Sequence, residues 1–240
     1  MLMENLTWKQ IERYLKRRKD IIIPIGSTEE HGYHLPLATD TIIAERIAEE
    51  GGERTGILVA PSIGYGICRH TAPYPGTASV GFDSMKGFVQ DILEDLRAKG
   101  FRTFYLLTGH AGSTHRVALK EAGEALLAKG AKVHLVVPYE VSIEDLLDSK
   151  LEFWGYPVGH ADEIETSLML YLRPDLVDMQ KAVDELPKRE IFKTSTSKRP
   201  TRSGVFWKPS LASRQKGKKI FERMVGEIVK FIASPRGRKN

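Results

Sequence analysis

The segment IIIPIGSTEEHGYHLPLATD, residues 21–40, joins a five-residue apolar run to a polar, turn-rich loop. Its first part, Ile21 to Ile25, is rich in β-branched residues and reads as a strand buried on both faces. The second part carries Gly26, Gly32 and Pro36, which keep it from forming a regular helix. It therefore sets Glu29, His31, His34 and Asp40 on an irregular loop at a strand end, where carboxylates and imidazoles can converge. A helix is expected next, from Thr41 to Glu50.

The same alternation continues outward. Ile57–Ala60 reads as a strand, Asp83–Lys99 as a helix stopped by Gly100, and Thr103–Leu107 as a strand. A helix from Thr114 to Lys129 ends at Gly130, a strand follows over Lys132–Val137, and helices are expected from Ser142, from Asp162 and over Gln215–Ile232. Strands alternating with helices of this length define an α/β domain with a mainly parallel sheet. No internal repeat divides the chain, so one domain over residues 1–240 is expected, with residues 186–210 as its least regular part. In such sheets ligands gather at the carboxyl ends of strands.

Composition narrows the classes. The 240 residues are 41% hydrophobic and 28% charged, too apolar for a disordered chain and long enough for a sizeable core. The single cysteine, Cys68, excludes an internal disulfide framework, and its pairing with His70 as a nucleophile is less favoured than a structural role. The N-terminal residues lack the apolar core of a signal peptide, and no run of about 18 apolar residues is present to span a bilayer. A cytoplasmic protein with no membrane partner is expected. From Lys188 to the end there are 16 Lys and Arg against 3 Glu, a net +13, which leaves −8 for residues 1–187 of the overall +5. A basic end of this kind can meet nucleic acid, a neighbouring subunit or an anionic substrate, and few aromatics accompany it for base stacking.

Two further clusters sit past predicted element ends. Thr108-Gly109-His110-Ala111-Gly112-Ser113 follows a strand, and His160-Ala161-Asp162-Glu163-Ile164-Glu165 opens a helix. Oxygen and nitrogen donors of this kind suit zinc, manganese or iron(II). The spacing of His31 and His34 is not that of the helical HExxH motif, no complete dinucleotide or P-loop fingerprint occurs, and Ser113 is not in a GxSxG elbow. Four donors, Glu29, His31, Asp40 and His110, at strand-end loops are hard to explain by packing, because a buried carboxylate is costly unless paired or metal-bound.

At these residues the chain resembles the creatininase family of metal-dependent amidohydrolases. Residues 26–40 are similar to the family's GSxEqHGxHLPlxtD signature, residues 108–113 to its NGHxxN turn, and His160–Ser167 to its HAGxxETS element. Residues 209–217 resemble its DPxLAsxekG stretch, so the likeness covers most of the chain. The resemblance implies a three-layer α/β/α sandwich, a two-ion centre and a homo-oligomer, with a hexamer favoured. It implies that Glu29 and His110 hold one ion, His31 the other, that Asp40 bridges both and that Glu165 supplies the remaining carboxylate. Two ions bring +4 and the three carboxylates −3, so one bridging hydroxide makes the centre neutral. That hydroxide would attack the substrate carbonyl, with no protein nucleophile. His160 is then expected to deliver a proton to the departing nitrogen or to stabilise the oxyanion, beside Glu165.

Two departures bear on substrate. Gly112 replaces a glutamate ligand of creatinine amidohydrolase, and Tyr156 replaces a tryptophan that closes over creatinine. Both turn the expectation from creatinine toward a formamidopyrimidine deformylase-like activity on a small cyclic amide or formamide, one that can carry a phosphate. A peptidase of the mycofactocin-precursor type and a non-catalytic nucleic-acid or partner-binding protein are the alternatives. The loop from Tyr65 to Ala78, with Arg69 and His70, is a candidate substrate-contacting segment.

Overall fold

The computed structural model describes residues 1–149, 159–186 and 198–234. β1 (Asp20–Ile25) pairs in parallel with β2 (Leu58–Val59) on one side and with β3 (Thr103–Thr108) on the other. β3 pairs in parallel with β4 (Lys132–Val136), so the order is β2-β1-β3-β4. Around the sheet lie α1 (Trp8–Leu15), α2 (Thr39–Thr55), α3 (Phe82–Ala98), α4 (Ser113–Leu127), α5 (Glu163–Leu172) and α6 (Arg214–Ala233).

Successive side chains of a strand face opposite sides. Ile22, Tyr105 and Leu107 enter a core with Ile43 and Ile47 of α2, Leu168 of α5 and Met224 of α6. Ile21, Ile23, Phe104 and Leu106 enter a second core with Tyr14 of α1, Leu93 of α3 and Leu119 of α4. Both faces are covered, which is why β1 and β3 are almost continuously apolar, and the result is the expected α/β/α sandwich.

The sheet order also locates the site. From β1 the chain crosses to β2 on one side, while β3 lies on the other, so the winding reverses between β1 and β3. Their carboxyl ends are in register, Ile25 opposite Thr108. The loops that leave them therefore emerge side by side, at the switch point where open α/β sheets bind ligands. The amino end of α2 is drawn tightly onto this point. A Cβ at Gly26 would lie 2.4 Å from the Thr41 backbone, and one at Gly109 would lie 2.1 Å from the Asp40 carbonyl oxygen.

Several boundaries differ from expectation. α2 begins at Thr39, so Asp40 stands in its first turn rather than on the loop, and it runs past Gly51 and Gly52 to Thr55. Gly52 is not a stop signal: a Cβ there would lie 2.5 Å from Val59 Cγ2, so the glycine lets helix and strand approach. The helix expected from Ser142 is only a 3₁₀ turn, Glu144–Leu146. Its continuation is diverted because the amides of Asp148 and Ser149 donate to the Glu163 carboxylate, each at 2.9 Å, instead of to the preceding turn. α1 was not anticipated in so charged a segment; it opens on a Thr7–Gln10 capping box and buries Tyr14. Within residues 186–210, the described part consists of bends, isolated bridges through Phe206 and Trp207, and the start of a 3₁₀ turn at Pro209. Residues 187–197 lie outside the described residues, as does Tyr156.

Candidate metal centre

The loop after β1, the first turn of α2, the second residue after β3 and the start of α5 deliver Glu29, His31, Asp40, His110, His160 and Glu165 to one place. Asp40 is central. Its Oδ1 lies 3.1 Å from His31 Nε2 and its Oδ2 lies 2.9 Å from His110 Nδ1. Glu29 Oε1 is 3.2 Å from the same His110 nitrogen, and Glu165 Oε2 is 3.7 Å from His31 Nε2. Two donor sets thus share Asp40: Glu29, Asp40 and His110 on one side, His31, Asp40 and Glu165 on the other. The ligand atoms of the second set all lie within 4.8 Å of one another, as do those of Glu29, His31 and His160.

Main-chain carbonyls hold the imidazoles in place. His31 Nδ1 is 3.1 Å from Glu29 O, His110 Nε2 is 3.0 Å from Ile67 O, and His160 Nε2 is 2.7 Å from Glu30 O. A carbonyl only accepts, so each of these nitrogens carries the proton and donates it. The other nitrogen of each ring, free of that constraint, faces the carboxylates. Rings oriented by an outer hydrogen bond with the inner nitrogen bare are the arrangement that metal-ligating histidines use. The carboxylates are held as well. Ser27 Oγ donates to Asp40 Oδ2 at 2.7 Å, Thr71 Oγ1 donates to Glu29 Oε2 at 2.5 Å, and the Ala161 amide donates to Glu165 Oε2 at 2.6 Å.

The charges are out of balance without cations. Burial alone would raise the Asp40 and Glu29 carboxyls, but His31 and His110 beside Asp40 hold it well below the usual range, and His110 and His160 hold Glu29 at about 2. Burial would lower the imidazoles, yet Asp40 foremost lifts His31 to about 9, and Glu29 with Asp40 lifts His110 well above its ordinary value. Burial foremost raises Glu165 to about 7, against the pull of His31 and His160. Protons therefore crowd onto the rings to compensate three buried carboxylates. Divalent cations would meet the same need with the donor atoms already aimed, so the residues present fit a metal centre.

His160 packs on His31, with ring centroids 4.4 Å apart, and keeps its Nδ1 3.8 Å from Glu29 Oε1. Its side chain is 13% exposed where that of His31 is 0%, so it lines the open side of the cluster. The next residue, Ala161, has φ +50°, a conformation that side chains other than glycine seldom adopt. That turn lets the Ala161 amide reach Glu165 while the Asp162 carboxylate accepts from the Ile164 and Glu165 amides and caps α5.

All five expected ligands and His160 converge. His34, placed on the same loop, does not: it is buried with Nε2 2.8 Å from Thr166 Oγ1, and burial foremost, then His31, push its pKa down to about 4. His115 stacks edge-on against His110 at 4.9 Å and accepts from the Ile67 amide at 3.3 Å, while His70 is exposed. Ser27 and Thr71 were not singled out from sequence, since hydroxyls of this sort carry no spacing signal. The Cys68 sulfur lies within 4.8 Å of a Glu29 carboxylate oxygen and a His110 ring nitrogen.

Fold and cluster together define an α/β/α protein with a buried carboxylate–imidazole centre able to hold divalent ions. A family model described as creatinine amidohydrolase matches residues 4–232, and the chain belongs to the creatininase family. It is 30% identical over 247 residues to creatinine amidohydrolase of Pseudomonas putida, covering 95% of this chain and 94% of the relative. It is 30% identical over 254 residues to 3-dehydro-scyllo-inosose hydrolase of Thermotoga maritima, 95% and 81% of the two chains. Over 216 residues it is 29% identical to the mycofactocin precursor peptide peptidase of Mycolicibacterium smegmatis, 85% and 81%. Among solved structures, a mutant creatininase of Zn-Zn type superposes with TM-score 0.89 at 27% identity, covering 100% of this chain and 98% of the other. Creatininase with Mn superposes with TM-score 0.85 at 28% identity, covering 100% and 99%. Family membership makes the protein a hydrolase of a metal-dependent kind.

Proposed function

We propose that this protein is a dinuclear metal-dependent amidohydrolase that cleaves a C–N bond of a small cyclic amide or formamide. Glu29, Asp40 and His110 hold one ion, and His31, Asp40 and Glu165 hold the other. The observation that carries the reading is Asp40, buried, with one carboxylate oxygen on each of two histidines from different elements. A pair of ions, zinc, manganese or iron(II), would supply an activated water and polarise the carbonyl under attack.

The chain's own residues do the rest. Ser27, Thr71 and the Ala161 amide fix the three carboxylates, so little reorganisation is needed as charge moves. Glu30 O holds His160 through Nε2, which leaves Nδ1 to take a proton and pass it to the departing nitrogen. His160 is the most exposed imidazole of the cluster, 13% against 8% for His110 and 0% for His31, as suits a group that meets substrate.

A deformylase-like reaction on a phosphate-bearing formamide is favoured over creatinine. Gly112 offers no side chain toward the centre, and exposed arginines stand on the loops that reach it. Arg69 is two residues before Thr71, and the Arg199 guanidinium lies 5.0 Å over the Tyr74 ring. Such cations attract an anionic substrate. The protein is read as a homo-oligomer, a hexamer by preference. The test is a panel of creatinine, formamidopyrimidine nucleotides and a short peptide offered to metal-loaded protein. Release of formate from the nucleotide is the expected result. Inertness there with cleavage of the peptide would replace this reading by the peptidase one, which the mycobacterial relative favours.

A further inference from the structure

Cys68 is buried under the same centre, and its amide donates to Ser79 Oγ at 2.9 Å. Its Sγ, a Glu29 carboxylate oxygen and a ring nitrogen of His110 all lie within 4.8 Å of one another. Ser27, whose hydroxyl donates to Asp40 Oδ2, also neighbours the thiol. The sulfur therefore stands with Glu29 and His110, and Ser27 connects it to Asp40 Oδ2. The preceding residue serves the same position, because the Ile67 carbonyl accepts from His110 Nε2 and so turns Nδ1 inward. One short segment orients the imidazole and presents the sulfur beside it.

We propose that Cys68 Sγ is a ligand of the ion held by Glu29, Asp40 and His110, and that it makes this position prefer zinc to manganese. The proposal rests on the dinuclear reading above. Glu29, Asp40 and His110 are three protein donors, and the sulfur would stand as a fourth beside the activated water, a coordination number to which catalytic zinc can expand. A thiolate is a soft donor suited to zinc, whereas manganese is better matched by oxygen ligands. On ligation the S–H bond breaks, a sulfur–metal bond forms and the proton leaves to solvent.

The experiment is titration of the chelator-stripped full chain with cobalt(II), followed by absorption. The wild type is expected to show visible ligand-field bands together with a near-ultraviolet sulfur-to-cobalt charge-transfer band. Cys68→Ser should keep the ligand-field bands and lose the charge-transfer band, and its zinc affinity relative to manganese should fall by about tenfold or more, at least the scale of changes outside the ligand set. Ligand-field bands without a charge-transfer band in the wild type would overturn the proposal and leave the dinuclear reading standing. No cobalt bands at all would overturn both. Because the wild-type spectrum decides, the outcome does not depend on how well the variant folds.

Discussion

Among the described residues no lysine or arginine pairs with Asp40, and two imidazoles share its two oxygens. Its position is held from behind by Ser27, so Ser27→Ala removes one hydrogen bond from a carboxylate that has to keep its aim. We expect metal affinity to fall about 10- to 100-fold with the fold intact, read by competition with a chelator; an unchanged affinity would mean that the serine does not steer Asp40. His160 is a different case. His160→Asn should lower kcat/KM by about 10²- to 10⁴-fold while metal content stays at the wild-type level. Loss of metal in that variant would instead make His160 a ligand. The residues of the centre were legible from sequence to the extent that they are strong donors at element ends: Glu29, His31, Asp40, His110, His160 and Glu165. What was not legible depends on the fold. The carbonyls of Glu29, Glu30 and Ile67 that fix the rings belong to every residue type alike, and the direction of the Cys68 side chain follows from a segment with no regular structure.

Elements were readable where one period dominates. β1 and β3 are apolar on both faces because helices cover both, and their limits were found to within a residue. α2 is expected to end at Glu50 but runs on to Thr55, and Gly52 within it admits β2. A helix is expected from Ser142, yet a buried carboxylate from α5 claims the amides of Asp148 and Ser149. Close approach also governs α5 and α6. A Cβ at Gly217 would lie 1.8 Å from the Ser167 carbonyl oxygen, so Gly217→Ala must push the two helices apart. A loss of about 1–3 kcal/mol is expected, measured as a lower urea midpoint at unchanged slope. Since α5 begins with Glu163 and carries Glu165, the same variant should also weaken metal binding. A midpoint equal to that of the wild type would show that this crossing is looser than described.

Across the whole molecule, the charge asymmetry is partly settled within the chain. Lys216 pairs with the buried Glu163 and with Asp148 at 2.9 Å, Arg223 pairs with Asp145, and Glu222 of the same helix pairs with Arg54 at 2.7 Å. Through Lys216 and Arg223 the basic helix α6 meets acidic groups of the earlier sequence, a use of that charge that needs no nucleic acid. No helix among the described residues is long and apolar enough to cross a membrane. The carboxylate cluster is the larger electrostatic debt, and its cations should stabilise the fold as a whole. Ligand at a hundred times its dissociation constant adds about 2.7 kcal/mol, and about 2–4 °C accompanies each kcal/mol in a domain of this size. Chelation should therefore lower Tm by about 5–10 °C, restored by adding zinc or manganese back; a Tm indifferent to chelator would contradict the account. The most direct measurement is elemental analysis of protein purified without chelator, wild type beside Asp40→Ala. The account predicts about two divalent ions per chain in the wild type and close to none in the variant. A wild type without metal, or a variant that keeps both ions, would contradict it.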